Sequence, residues 1–156
     1  MDYITSIYNS AIGPLKISVS DNGLHALSFC KDSEKEPVNR RHPLINDIEK
    51  QLDEYFTGKL KLFNIPLCPE GSNFQKQVWR EISKIPFGST TTYLHLAEAI
   101  NNPKAVRAVG MANGKNPVPI IIPCHRVIGS NGKLTGYGGG IWRKEWLLRH
   151  EGINLL

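Results

Sequence analysis

Thr91-Thr92-Tyr93-Leu94-His95-Leu96-Ala97-Glu98-Ala99-Ile100-Asn101-Asn102-Pro103-Lys104-Ala105-Val106-Arg107-Ala108-Val109-Gly110-Met111-Ala112 reads as two short helices on either side of a tight break. Thr91 is of a helix-capping type, and Tyr93, Leu96, Ala97 and Ile100 follow as an apolar stripe at helical spacing. Asn102-Pro103 interrupts the stripe, and Pro103 suits the first position of a new helix, where its missing N–H leaves nothing unsatisfied. Two helices across so short a break predict a helix-turn-helix.

The second of these helices divides its residues by face. Ala105, Ala108, Val109 and Ala112 share the side expected to pack, while Lys104, Arg107, Met111 and Gly114 share the other, with Gly110 near it. A glycine inside a helix costs about 1 kcal/mol relative to alanine, so two of them require a compensating contact. Close approach to a nucleic-acid groove supplies one, and a tight helix-to-helix contact is the competing explanation.

Upstream, Ser72 followed by Gln75 predicts a capping box, and Phe74, Val78, Ile82 and Ile85 continue at helical spacing until Pro86-Phe87-Gly88. The residues before that differ in kind. Leu15, Ile17 and Val19 alternate with polar residues, Asp21-Asn22-Gly23 supplies a turn, and Leu27 and Phe29 resume the alternation, which predicts a hairpin. Leu44, Ile48, Leu52, Tyr55 and Phe56 share a helical face that Gly58 ends, and the polar stretch from Lys31 to His42 is expected to be an exposed loop. The fold class is therefore α+β: a small N-terminal domain over residues 1–69 with an antiparallel sheet, then a mostly helical, winged-helix-like domain over 70–156. Charge divides the same way, with a net −1 over residues 1–69 and +6 over residues 70–156. A basic second half favours a polyanionic partner.

Chemistry concentrates in Pro123-Cys124-His125-Arg126-Val127. The apolar run Ile120-Ile121-Ile122 before it predicts a buried strand that delivers Cys124 to the edge of the core. A thiol attacks as thiolate, so it needs a base or a cation, and His125 and Arg126 stand next in the chain. An ordinary buried cysteine is the plain alternative. Cys30, Cys68 and Cys124 are odd in number and unevenly spaced, which argues against a disulfide framework and a four-ligand metal site. The segment from Met1 to Ser10 has no secretory pattern and no apolar run reaches membrane length, so a cytoplasmic protein with reduced thiols is expected.

Together these motifs resemble the O6-alkylguanine-DNA alkyltransferases, or methylated-DNA–protein-cysteine methyltransferases. Ile121 to Val127 is similar to the family's active-site signature, Arg107-Ala108-Val109-Gly110 to its recognition-helix segment, and Asn116-Pro117-Val118-Pro119 to its intervening turn. Tyr93, Tyr137-Gly138-Gly139-Gly140 and Lys144-Glu145-Trp146-Leu147-Leu148 fall in the family's order. The resemblance is strong from about Ser72 to Gly152 and thin before it, where it implies a ribonuclease H-like supporting domain.

The resemblance implies a single-turnover repair protein that flips O6-alkylguanine out of duplex DNA and keeps its alkyl group on Cys124 as a thioether; O4-methylthymine is a further candidate substrate. It implies that His125 acts on Cys124 through a water, that Glu151 orients His125, that Asn116 fixes the network near the thiol, and that Tyr93 donates to the guanine ring. Tyr137, Gly138 and Val127 are implied to line the base pocket. Arg107 would fill the vacated stack, and Ala108, Gly110, Met111, Thr92 and Gln75 would contact DNA. Arg126 is expected to be structural. No cofactor or metal is implied, and the partner is double-stranded DNA bound by a monomer, away from membranes.

Two other readings come from the residues. A winged-helix regulator that binds DNA without chemistry accounts for the charge and the helices, but not for Cys124, His125 and Glu151 together. A cysteine hydrolase would need His125 to reach the sulfur directly, and neighbours on a strand are badly placed for that.

Overall fold

The computed structural model describes residues 3–31 and 41–155. It divides into two compact units, Met1–Glu70 and Gly71–Leu156.

In the first unit the alternating residues form β2 (Gly13–Ser20) and β3 (Gly23–Phe29), antiparallel, with Leu15 opposite Phe29 and Ile17 opposite Leu27. Gly23 is needed where it stands: its φ is +146°, and a Cβ there would lie 2.6 Å from the carbonyl oxygen of Pro66. That close approach lets Leu24 N–H donate to Pro66 O and Cys68 N–H donate to Leu24 O, both at 2.8 Å, which covers the outer edge of β3. A third strand, β1 (Ile4–Ser10), pairs antiparallel with β2. Its buried positions include Ser6 and Tyr8 rather than aliphatic residues, so periodicity alone did not reveal it.

Helix α1 (Pro43–Phe56) buries Ile45, Ile48, Leu52 and Tyr55, so Ile45 and not Leu44 opens the inward stripe. The helix begins at His42, whose Nδ1 accepts Leu44 N–H at 3.0 Å. Ile12, Leu15, Ile17 and Val19 are fully buried in the same unit, each a side chain worth about 1.5–3 kcal/mol when removed from water. The loop expected between Lys31 and His42 lies mostly outside the described residues.

In the second unit α2 (Asn73–Ile82) opens on the capping box: Ser72 Oγ accepts Gln75 N–H at 3.1 Å and Gln75 Oε1 accepts Ser72 N–H at 2.9 Å. It stops at Ile82 and not Ile85, and the chain continues through looser turns at Lys84 and Ile85. Next come β4 (Thr91–Thr92), α3 (Tyr93–Ala99), α4 (Val106–Gly114), β5 (Val127–Ile128) and α5 (Ile141–His150). Thr92, not Thr91, caps α3, accepting His95 N–H at 3.1 Å; both threonines pair in parallel with Val127 and Ile128, and the helix starts one residue later than spacing suggested. The helix expected from Pro103 starts with a single 3-10 turn over Pro103–Ala105 and becomes α-helical at Val106. Trp79 Nε1 donates to Ala112 O at 2.8 Å, tying α2 to α4 around a core that includes Val78, Ile82, Leu96 and Val109. No described helix is long and apolar enough to cross a membrane.

Candidate active site

The run before Cys124 is a strained turn and not the expected strand. Pro117, Pro119 and Pro123 lack the N–H groups that a ladder requires. Ile120 has φ +75°, a left-handed conformation uncommon for a β-branched residue. The turn is closed by Ile122 N–H to Val118 O at 2.9 Å and by the amide of Asn116, whose Nδ2 donates to Ile122 O at 2.8 Å while its Oδ1 accepts Val118 N–H at 2.9 Å. Asn113 Nδ2 reaches Cys124 O at 3.4 Å. Cys124, His125 and Arg126 then form one 3-10 turn, all buried. Successive side chains on such a turn diverge by roughly 120°.

His125 and Arg126 converge on Glu151, which ends α5. His125 Nε2 lies 2.7 Å from Glu151 Oε2; Arg126 donates through Nε to Oε1 at 2.8 Å and through Nη2 to Oε2 at 3.0 Å. Arg126 Nη1 also donates to Ile85 O at 2.6 Å, and Gly88 N–H reaches Glu151 Oε1 at 3.3 Å. Burial pushes the Glu151 carboxyl up, but the hydrogen bonds and charges of His125 and Arg126 outweigh it and hold the group at about 2. Burial holds His125 below its ordinary value; the hydrogen bond and charge of Glu151 oppose this, and the charges of Arg126 and Lys144 reinforce it. The imidazole is thus neutral, with Nε2–H donating to Glu151. Its buried Nδ1 has no hydrogen-bond partner among the described residues, which leaves a lone pair available to take a proton.

The thiol is not ionised at rest. Burial pushes Cys124 up to about 11, against a hydrogen bond from Asn116 and the charge of Lys144. Lys144 is fully buried and donates to Val127 O at 2.7 Å and Thr135 O at 3.1 Å; burial lowers it to about 8 while Cys124 raises it. Tyr137 is held well above its usual range by burial first and by Cys124 second, with Arg143 opposing. The group is a protonated nucleophile with a cation to receive its charge and a neutral imidazole beside it in the chain.

The remaining candidates spread over the same unit. Arg107, Ala108 and Met111 are exposed on α4, Met111 to 70%. Ala108 thus leaves the packing face to which spacing assigned it. A Cβ on Gly110 would meet only the Tyr93 ring, at an ordinary 3.8 Å, and one on Gly114 would meet nothing within 4 Å. Neither glycine is required by helix packing. Tyr93 OH lies 2.6 Å from Thr135 Oγ1. The side-chain oxygens of Gln75 and Thr92 are engaged in capping α2 and α3. Gly138 is exposed, whereas Val127 is fully buried and brings its carbonyl to Lys144.

Sequence reasoning gave Arg126 no chemical part and Lys144 no part at all. Lys144 had a signal: Lys144, Leu147, Leu148 and Glu151 fall at i, i+3, i+4 and i+7, so a lysine and a glutamate sit on the apolar stripe of α5 and its C-cap.

The family model described as the DNA-binding domain of 6-O-methylguanine DNA methyltransferase matches residues 73–153, and that of its ribonuclease-like domain matches residues 3–69. A methylated-DNA–protein-cysteine methyltransferase of Methanosarcina acetivorans is 47% identical over 151 residues, covering 94% of this chain and 97% of its own. Among solved structures, the O6-methylguanine methyltransferase of Mycobacterium tuberculosis superposes with a TM-score of 0.86 at 40% identity, over 96% of this chain and 93% of the other. The M. tuberculosis OGT in complex with DNA superposes with a TM-score of 0.85 at 42% identity, over 94% and 91%. With both halves matched and a buried cysteine backed by histidine and glutamate, the chain belongs to the methylated-DNA–protein-cysteine methyltransferase family.

Proposed function

We propose that this protein repairs duplex DNA by moving the alkyl group of O6-alkylguanine irreversibly onto Cys124, one group per molecule. The observation that carries the reading is the buried Glu151–His125 pair at 2.7 Å, with His125 Nδ1 unpartnered, in the chain position next to a thiol held protonated. A water takes the Cys124 proton and passes it to His125 Nδ1, and Glu151 stabilises the imidazolium, the orienting logic of a catalytic triad. The thiolate displaces guanine from the alkyl carbon in line, and Tyr93 donates to the ring so that charge does not build on the leaving base. Lys144 and Asn116 stabilise the thiolate.

The base must leave the helix to reach a buried sulfur. Arg107 fills the gap from α4, whose exposed Ala108 and Met111 and half-buried Gly110 sit against the minor groove; glycines without a packing role fit that approach. Tyr137 and Gly138 line the pocket beside Val127, and Gln75 and Thr92 present the N-termini of α2 and α3 to phosphates. The protein works as a monomer without a cofactor, in the reducing cytoplasm that a free thiol needs. A duplex carrying isotopically labelled O6-methylguanine tests the reaction: label should move to protein until one equivalent is transferred and then stop. Continued turnover, or tight binding without transfer, would replace this reading with an enzyme of another kind or with a DNA-binding regulator.

A further inference from the structure

The 2.6 Å hydrogen bond between Tyr93 OH and Thr135 Oγ1 joins the first residue of α3 to the stretch between β5 and α5. Thr135 is held a second time, because its carbonyl accepts Lys144 Nζ at 3.1 Å, and the same ammonium donates to Val127 O at 2.7 Å and acts on the charge of Cys124. One threonine therefore touches, through different atoms, the phenol of Tyr93 and the ammonium whose charge acts on Cys124.

We propose that Thr135 is a positioning residue for the leaving group: its hydroxyl donates to the Tyr93 oxygen while the Tyr93 proton is given to the guanine ring. This rests on Tyr93 as the proton donor under Proposed function. Each hydroxyl has one proton and two lone pairs. Once Tyr93 spends its proton on the base, the bond to Thr135 survives only with Thr135 as donor. Thr135 is exposed, so nothing locks its hydroxyl in the opposite sense. The bond then strengthens as negative charge builds on the phenol oxygen, which stabilises the transition state more than the ground state.

The step balances without further reagents. The S–C bond forms as the C–O6 bond breaks, the bonding pair goes to guanine, and the Tyr93 proton goes to a ring nitrogen. The phenolate, held by the Thr135 O–H, regains a proton from solvent, equal to the one Cys124 released through His125.

A double-mutant cycle on the transfer rate from duplex O6-methylguanine tests the proposal. Thr135→Val, which keeps the shape, should slow transfer about 10-fold, Thr135→Ser should stay within about 2-fold of wild type, and Tyr93→Phe should slow it about 100-fold. In the Tyr93→Phe background Thr135→Val should add nothing, since the threonine acts through the phenol. An equal 10-fold loss in both backgrounds would assign Thr135 to loop structure and overturn the proposal. A slow Tyr93→Phe with Thr135→Val at the wild-type rate would also overturn it, leaving the tyrosine role standing. Wild-type transfer by Tyr93→Phe would remove the tyrosine role itself and Thr135 with it.

Discussion

Arg126 grips Glu151 with two nitrogens, Nε on Oε1 at 2.8 Å and Nη2 on Oε2 at 3.0 Å, and the second oxygen is the one that also meets His125. The carboxylate is thus held ionised by one partner so that it can orient the other. Because all three groups are buried, deleting one leaves the rest uncompensated. Arg126→Met should destabilise the fold by about 3–5 kcal/mol in urea unfolding. A loss under about 1 kcal/mol would mean that the pair is relieved by solvent in a way the burial does not suggest.

Glu151 makes stability depend on acid. Its carboxyl sits at about 2 in the folded state against an ordinary 4.5, so the unfolded chain takes up the proton first as pH falls. The stabilisation is complete above about 4.5 and is lost as pH drops toward 2, a change of roughly 3 kcal/mol for this group. Glu151→Gln should flatten that part of the stability curve, measured by denaturant titration at several pH values. It should also slow alkyl transfer about 100-fold, since a neutral amide neither fixes the His125 tautomer nor stabilises its cation.

Lys144 should show itself in thiol reactivity. Its charge lowers the Cys124 value, so Lys144→Met should move the midpoint of iodoacetamide labelling at Cys124 to higher pH. At pH 8 labelling should slow by about 10-fold, the equivalent of one pH unit. An unchanged midpoint would show that burial and Asn116 alone set the thiol.

Arg107→Ala and Gly110→Ala separate binding from chemistry. Arg107→Ala should slow transfer from duplex DNA at least about 10-fold more than transfer from free O6-benzylguanine, because only the duplex has a stack to fill. Equal losses on both substrates would count against that role. Gly110→Ala should leave stability unchanged or raise it by up to about 1 kcal/mol, since the added Cβ meets only an ordinary contact with Tyr93. Its affinity for duplex DNA in a fluorescence titration should nevertheless fall.

The elements with a clean period were legible in the sequence. The hairpin from Leu15 to Phe29 and the Ser72–Gln75 cap stand where spacing put them, and the α1 stripe does so apart from Ile45 replacing Leu44 at its start, since each is decided by neighbours a few residues away. The segment leading to Cys124 was not, because Ile120-Ile121-Ile122 suits a buried strand as well as a buried turn, and only the alternating prolines spoke for the turn. Near the thiol, His125 meets Glu151 across 26 residues of chain, a pairing that no local periodicity in the sequence reveals. The part of Arg126 depends on a contact 25 residues along the chain, and that of Lys144 on its carbonyl acceptors at Val127 and Thr135. Burial of the thiol, which decides that it waits protonated, is a property of the packed unit and not of any five residues.

The central claim is that Cys124 is the acceptor. Intact-protein mass spectrometry after incubation with duplex DNA containing O6-methylguanine should show every molecule gaining the mass of one methyl group in place of one hydrogen, with peptide mapping assigning it to Cys124 and Cys124→Ala gaining none. No gain in the wild-type protein, or a gain that persists in Cys124→Ala, would contradict the account.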